Sequence, residues 1–399
     1  MTAALFIVIT AMLIQQAFAY FASLVLPNMA PAVADSLNLD RELIGYYTGL
    51  MYLFSSIGQL SCGGFILRFG AVRMSQVSLV LMGLALMSGF YGSVLIFALG
   101  AMTIGLGSAV STPASSHLLA RYSPPKYAPL IFSIKQTGVP VGGLMAGIMI
   151  PILLGWLDWR GAFVFCGVMC LTLAVMLQPI RAQFDADRQP NQSLKPGFIW
   201  QTLKQVMATP SLRDLAIGMF CFVGLQGLFG SYFVTYVTET LDRPLETANY
   251  FFSIAMTTAI GARILWGWVG SSLMPARRVI AYLAAVMAVA AAGMGWLKPE
   301  ISDAIIILIA ILYCISAVSW HGLLLAEIAR LAPEGQVGPV TGASLACAGA
   351  GMMTYPVLYA LLVEATGNWS LGFFIAALPA AVMAVKLYRP PRHVPGAAV

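Results

Sequence analysis

Apolar residues run in stretches of about twenty, separated by short polar or proline-containing breaks, and the alternation repeats along the whole chain. The runs fall near 4–28, 44–67, 74–93, 95–120, 128–154, 162–180, 214–237, 248–270, 278–297, 303–328, 337–363 and 369–387. A run of that length crosses the ~30 Å hydrocarbon layer of a bilayer as one α-helix. In lipid the helix also satisfies its own backbone donors and acceptors. The breaks carry turn and cap chemistry, as at Asn38-Leu39-Asp40, Arg68-Phe69-Gly70, Ser123-Pro124-Pro125, Pro275, Lys298-Pro299 and Pro333-Glu334-Gly335. The pattern predicts an all-α integral membrane protein with 12 transmembrane helices and both termini on one side.

Composition sharpens this. Of 399 residues, 60% are hydrophobic and 9% charged, more apolar surface than one soluble core could hide. The six cysteines sit inside apolar runs without ligand-type spacing, so neither a disulfide framework nor a metal site is expected. The net charge of +6 is spread singly over the ends of the runs, without the basic face a nucleic-acid partner needs. There is no nucleotide-binding Gly-rich loop, no His-Glu-x-x-His and no cofactor motif, which reads against an enzyme. Ala17-Phe18-Ala19 resembles a signal cleavage site, but no Lys or Arg precedes Arg41 and apolar residues continue to Val25, so the first run reads as a retained helix.

Fifteen of the 21 Lys and Arg residues fall in one set of connections, against Arg41, Arg160, Arg243 and Lys298 in the other. The positive-inside rule then puts both termini in the cytoplasm, with a bacterial-type inner (plasma) membrane as the expected location. The longest polar stretch, roughly Arg181 to Asp214, reads as a linker between a bundle over 1–180 and a second over 214–399. Within it Ile199, Leu203, Val206 and Met207 recur at helical spacing, predicting a short helix on the membrane surface. The halves echo each other at offsets of 204 to 209: Gly63 with Arg68 and Arg73 answers to Gly267 with Arg277 and Arg278, and Ala120-Arg121 to Ala329-Arg330. Parallel six-span repeats point to a carrier whose halves rock about a midplane site.

These residues resemble the major facilitator superfamily over essentially the whole chain. Its loop between helices two and three runs Gly, three residues, Asp-Arg, one residue, Gly, one residue, two basic residues. Gly63, Arg68, Gly70 and Arg73 match it, whereas Leu67 stands at the acid position and Val72 at the first basic one. In the second copy Ser271 takes the acid position. The resemblance implies two pseudo-symmetric six-helix bundles, alternating access, a monomer, and gating through this loop. Lys135-Gln136-Thr137-Gly138-Val139-Pro140-Val141-Gly142-Gly143 looks like the Gly-Pro-rich fifth helix of the superfamily, with Val139 inserted before the proline. Gly138 and Gly142 are spaced for close helix packing, and Pro140 permits a kink. Arg263-x-x-x-Gly267 is similar to the eighth helix of monocarboxylate and oxalate/formate carriers, where the arginine meets the substrate carboxylate; Ala259 occupies the position of their proton-coupling acid.

Ionisable groups at bilayer depth are costly and therefore candidate functional groups. Lys135 and Arg263 are the basic residues left inside runs, and Glu327 is the acid clearly within one. A cationic interior with so few acids favours an anionic solute, and a guanidinium fork suits a carboxylate. The bland readings are snorkelling for Lys135 and structural bracing for Arg263. His321 and Glu327 could carry a coupling proton; His321 could equally pack, and Glu327 could pair with Arg330 as a gate or structural contact. Gln16, Tyr20, Thr112, Ser115, Gln136, Gln226, Tyr232, Tyr236, Ser344 and Tyr355 are candidate cavity residues or interhelical hydrogen bonds, and Trp320 could stack on a solute or fill space. Two functions follow: proton-coupled transport of a small organic anion, or efflux of an amphipathic compound through a cavity made adaptable by aromatics and 21 methionines.

Overall fold

A computed structural model describes residues 3–38, 43–192, 194 and 197–389. Leu39, Asp40, Arg41, Lys195 and Arg392, used above for boundaries and charge counting, lie outside the described residues. The regular structure described is helical throughout, and 12 helices are long and apolar enough to cross a membrane. The first half contains α1 (Ala3–Leu37), α2 (Leu43–Phe69), α3 (Ala71–Ser88), α4 (Val94–Tyr122), α5 (Ala128–Gln136), α6 (Gly138–Trp156) and α7 (Trp159–Met176). Two shorter helices follow, α8 (Gln178–Phe184) and α9 (Gly197–Ala208). The second half contains α10 (Pro210–Glu239), α11 (Leu245–Ser272), α12 (Ala276–Trp296), α13 (Asp303–Ala317), α14 (His321–Leu331), α15 (Val337–Thr366) and α16 (Trp369–Tyr388).

Two spans are broken. The fifth divides at Thr137 into α5 and α6. Pro140 has no N–H to give the Gln136 carbonyl four residues back, so the helical ladder opens there. The tenth divides between Ala317 and His321 with no proline to announce it. Side chains hold that break: Ser319 Oγ donates to the Ala259 carbonyl at 3.0 Å and Trp320 Nε1 to the Ala317 carbonyl at 2.8 Å. The linker helix expected near 199–207 is α9, docked through buried Thr202 and Val206 with Trp200 exposed.

The chain forms two compact units. The first comprises Met1–Ser123, Lys135–Lys204 and Ala332–Ala346; the second comprises Pro124–Ile134, Gln205–Leu331 and Cys347–Val399. In the first unit α1 lies against α6, and a Cβ on Gly138 would come within 2.6 Å of the Leu13 carbonyl. The packing expected of Gly138 and Gly142 is therefore realised between α1 and α6. The sequence repeat also acquires a physical reason. In the first unit a Cβ on Gly63 would meet Pro339, 2.6 Å from its Cα; in the second, a Cβ on Gly267 would meet Ser133, 2.5 Å from its Oγ. Each repeated glycine thus removes the one atom that would hold off a neighbouring helix.

Candidate functional site

In the first unit α1, α4 and the end of α5 enclose a polar cluster. Lys135 is 1% exposed, and its ammonium donates to Gln16 Oε1 at 2.7 Å and Gln136 Oε1 at 3.2 Å. The same Gln16 oxygen accepts from Thr112 Oγ1 at 3.1 Å, and beside it Gln15 Nε2 donates to Ser111 Oγ at 2.8 Å. Gln15 Oε1 is buried without a hydrogen-bond partner among the described residues. The described residues place no carboxylate within ion-pair distance of Lys135. The Lys135 amine is thus surrounded by neutral oxygens at the point where the fifth span breaks. Tyr20, on α1, is half-buried.

In the second unit Arg263, on α11, is 5% exposed and interacts electrostatically with His321, the first residue of α14. The break in the tenth span positions that imidazole: Nδ1 lies 3.2 Å from the Val318 carbonyl, and the ring stacks on Trp320 with centroids 4.0 Å apart. Trp320 is fully buried and meets the edge of Phe222, so its indole fills space and supports His321. On α10, Gln226 Oε1 is buried without a hydrogen-bond partner among the described residues. Tyr232 is half-buried, donates to the Pro356 carbonyl at 3.2 Å and packs on Tyr359. Glu327 is buried and forked onto Arg330, which donates through Nε at 2.9 Å and a terminal nitrogen at 2.8 Å. Arg277 lies 3.6 Å from Asp214 in the same unit. Among the described residues no group of three His, Cys, Asp or Glu could hold a metal.

A family model described as Major Facilitator Superfamily matches residues 12–343. The chain belongs to this superfamily. Among curated proteins it is 23% identical over 265 residues to the uncharacterized transporter YybO of Bacillus subtilis (62% of this chain, 61% of the relative). It is 22% identical over 276 residues to the probable galactarate/D-glucarate transporter GudP of Escherichia coli (61% and 60%). The match therefore spans about three fifths of these relatives' length. Among solved structures the proton:xylose symporter XylE aligns with a TM-score of 0.74 at 14% identity, covering 97% of this chain and 95% of that one. That likeness concerns the fold. The chain is a multi-pass membrane protein of this superfamily.

The superfamily loop contains the feature that sequence reasoning missed. Gly70 has φ +95°, and Asp185, from the start of the linker, fills the space its side chain would need. The buried Asp185 carboxylate accepts from the Val72 N–H at 2.8 Å and the Arg73 N–H at 2.9 Å, satisfying two open donors in the first turn of α3. Leu67, at the acid position, contributes only its carbonyl, which accepts from the Gln189 N–H at 2.7 Å. Asp187 then ties down the end of α4, 2.9 Å from His117 Nε2 and 3.0 Å from an Arg121 nitrogen. The signal was present in the motif's missing acid and the two aspartates after Phe184, but spacing alone could not join them. Arg68 lies over the ring of Phe69 at 5.5 Å.

Burial holds the Asp185 carboxyl above its ordinary value, against the N–H bonds from Val72 and Arg73 and the charge of Arg181. At Asp187 burial acts in the same sense, but the hydrogen bond and charge of His117 and the charge of Arg121 outweigh it and the carboxyl sits below its ordinary value of 3.8. A depressed carboxylate contributes stability that is fully present above its unfolded pKa and is lost as pH falls through the folded one. Asp187→Asn should therefore speed hydrogen exchange over 185–192 at pH 7, and the gap from wild type should narrow as both are acidified below pH ~4. Asp187 itself helps to hold the Asp185 carboxyl up, so the substitution also eases the opposite response of Asp185.

Proposed function

We propose that this protein is a secondary active transporter that moves a small organic anion, a carboxylate, across the membrane by alternating access with a coupled proton. The observation that carries the reading is the burial of two cations at transmembrane depth, Lys135 at 1% and Arg263 at 5% exposed, with Lys135 held by neutral oxygens. A cation kept charged in lipid needs compensating charge, and a substrate carboxylate supplies it at Lys135. Arg263 serves the second unit with a two-pronged donor suited to the same group. Gln226, whose buried oxygen wants a donor, is placed to accept from a hydroxyl or protonated group on the substrate.

The proton is assigned to His321, because Glu327 is already engaged by Arg330 and acts as a gating contact beside it. Protonation of His321 beside Arg263 is favoured when a carboxylate arrives to offset both charges. Gly63, Gly70, Arg68 and Arg73 shape the loop at the basic end. By the positive-inside rule that end is cytoplasmic, in a bacterial-type plasma membrane, with both termini on the same side. Galactarate and D-glucarate, named for the GudP relative, are polyhydroxylated carboxylates and head the substrate panel.

The test is uptake into proteoliposomes of radiolabelled mono- and dicarboxylates, with and without an inward-acidic or outward-acidic pH gradient. A carboxylate accumulated in response to the gradient, with a neutral sugar of equal size left outside, is the expected result. Failure of every anion, with extrusion of an amphipathic dye instead, would replace the anion reading with efflux.

A further inference from the structure

Within the first unit α2 and α3 both pack on α4 and touch each other little, which leaves a groove with α4 as its floor. Its volume is about 430 Å³, and its walls include Gly58, Phe65, Met74, Val77, Leu81 and Leu106. The two serine hydroxyls in it are already satisfied by their own or the next helix. Ser61 Oγ donates to the Ile57 carbonyl and Ser78 Oγ to the Gly107 carbonyl, each at 2.7 Å. An aqueous solute would therefore find few polar partners along the walls.

The groove faces outward from the unit, with Phe65 and Leu81 about two fifths exposed at 39% and 38%, on helices that cross the membrane. From Arg73 to Leu81 along α3 it runs about 12 Å, and from Phe69 back to Gly58 along α2 about 16 Å, at 1.5 Å per residue. A single cation lines it, Arg73, at one end. That side chain is half-buried, and the described residues give its guanidinium no carboxylate partner, because Asp185 binds only the Arg73 backbone N–H. Beside it Arg68 lies over the ring of Phe69, itself a wall residue.

An apolar trough one acyl chain long, with a guanidinium at its mouth where the first turn of a transmembrane helix reaches the membrane surface, fits one ligand chemistry. We infer that it binds an anionic phospholipid, with the headgroup phosphate on Arg73 and one acyl chain along the walls. The acyl chain gains dispersion contacts with the groove walls, and the headgroup a charge-assisted hydrogen bond.

The experiment is native mass spectrometry of the delipidated full-length chain, titrated with phosphatidylglycerol and with phosphatidylcholine of the same acyl composition. Wild type should prefer phosphatidylglycerol by roughly fivefold, the share of one basic residue facing an anionic headgroup. Arg73→Gln should level the two lipids. Val77→Trp, placed at a 38% exposed wall position so that the ring fills the trough without entering the core, should weaken both. Equal binding of the two lipids by wild type overturns the inference, as does a preference that survives Arg73→Gln. Wild-type-like binding by Val77→Trp, or glycerol phosphate binding as tightly as the lipid, removes the acyl-chain part and overturns it equally.

Discussion

Arg263→Ala should raise the Kd for the transported carboxylate about 100-fold, the loss of a two-pronged charge-assisted contact worth about 3 kcal/mol. The figure rests on dielectric. Arg263 is 5% exposed on a transmembrane helix, so a carboxylate brought to it exchanges hydration for one cation and cannot recover the difference from water. Arg263→Lys keeps the charge and loses the fork, so it should fall between wild type and Ala. Because Arg263 also interacts with His321, its removal should change the pH dependence of uptake as well as its affinity. The measurement is substrate binding by calorimetry on protein whose melting curve is monitored in parallel. Unchanged affinity in both folded variants would remove Arg263 from the binding machinery.

The largest effect on stability is expected at Gly70. Its φ of +95° disfavours any side chain, and an added Cβ would lie 2.5 Å from Asp185 Cβ and Oδ1. Gly70→Ala thus incurs about 1–2 kcal/mol of backbone strain and also displaces the carboxylate that caps α3, a further ~0.5–2 kcal/mol. Asp185→Asn keeps one acceptor oxygen and the same shape, so it should lose less. Melting temperatures should fall in the order wild type, Asp185→Asn, Gly70→Ala. Hydrogen exchange should quicken at the start of α3 and over 185–192 together in Gly70→Ala. If Gly70→Ala exchanges like wild type at both places, the linker does not depend on that contact.

Much of the architecture was legible because lipid imposes a simple rule. A helix in hydrocarbon must be about twenty apolar residues long, so all 12 spans could be read from run length, and the short helix near 199–207 from its spacing. Pro140 announced the break in the fifth span, since a missing N–H is a property of the residue itself. The tenth span gave no such notice. Its break is held by Ser319 reaching Ala259, 60 positions away, and by Trp320 seated against Phe222.

The same contrast governs the candidate site. Lys135, Arg263, His321 and Glu327 could be picked out from sequence because a charge at bilayer depth is unusual wherever its side chain points. What surrounds each was not readable. The Lys135 ammonium is joined to Gln16 across 119 positions, and the α3 cap to Asp185 across 113. Sequence alone determined the spans, the repeat and which ionisable residues fall inside the spans, because these follow from composition and local backbone chemistry. Only the tertiary structure decided that Asp185 stands beneath a loop whose own acid position is Leu67, because a hydrogen bond between distant segments depends on where the whole chain brings its ends, and no local pattern encodes it.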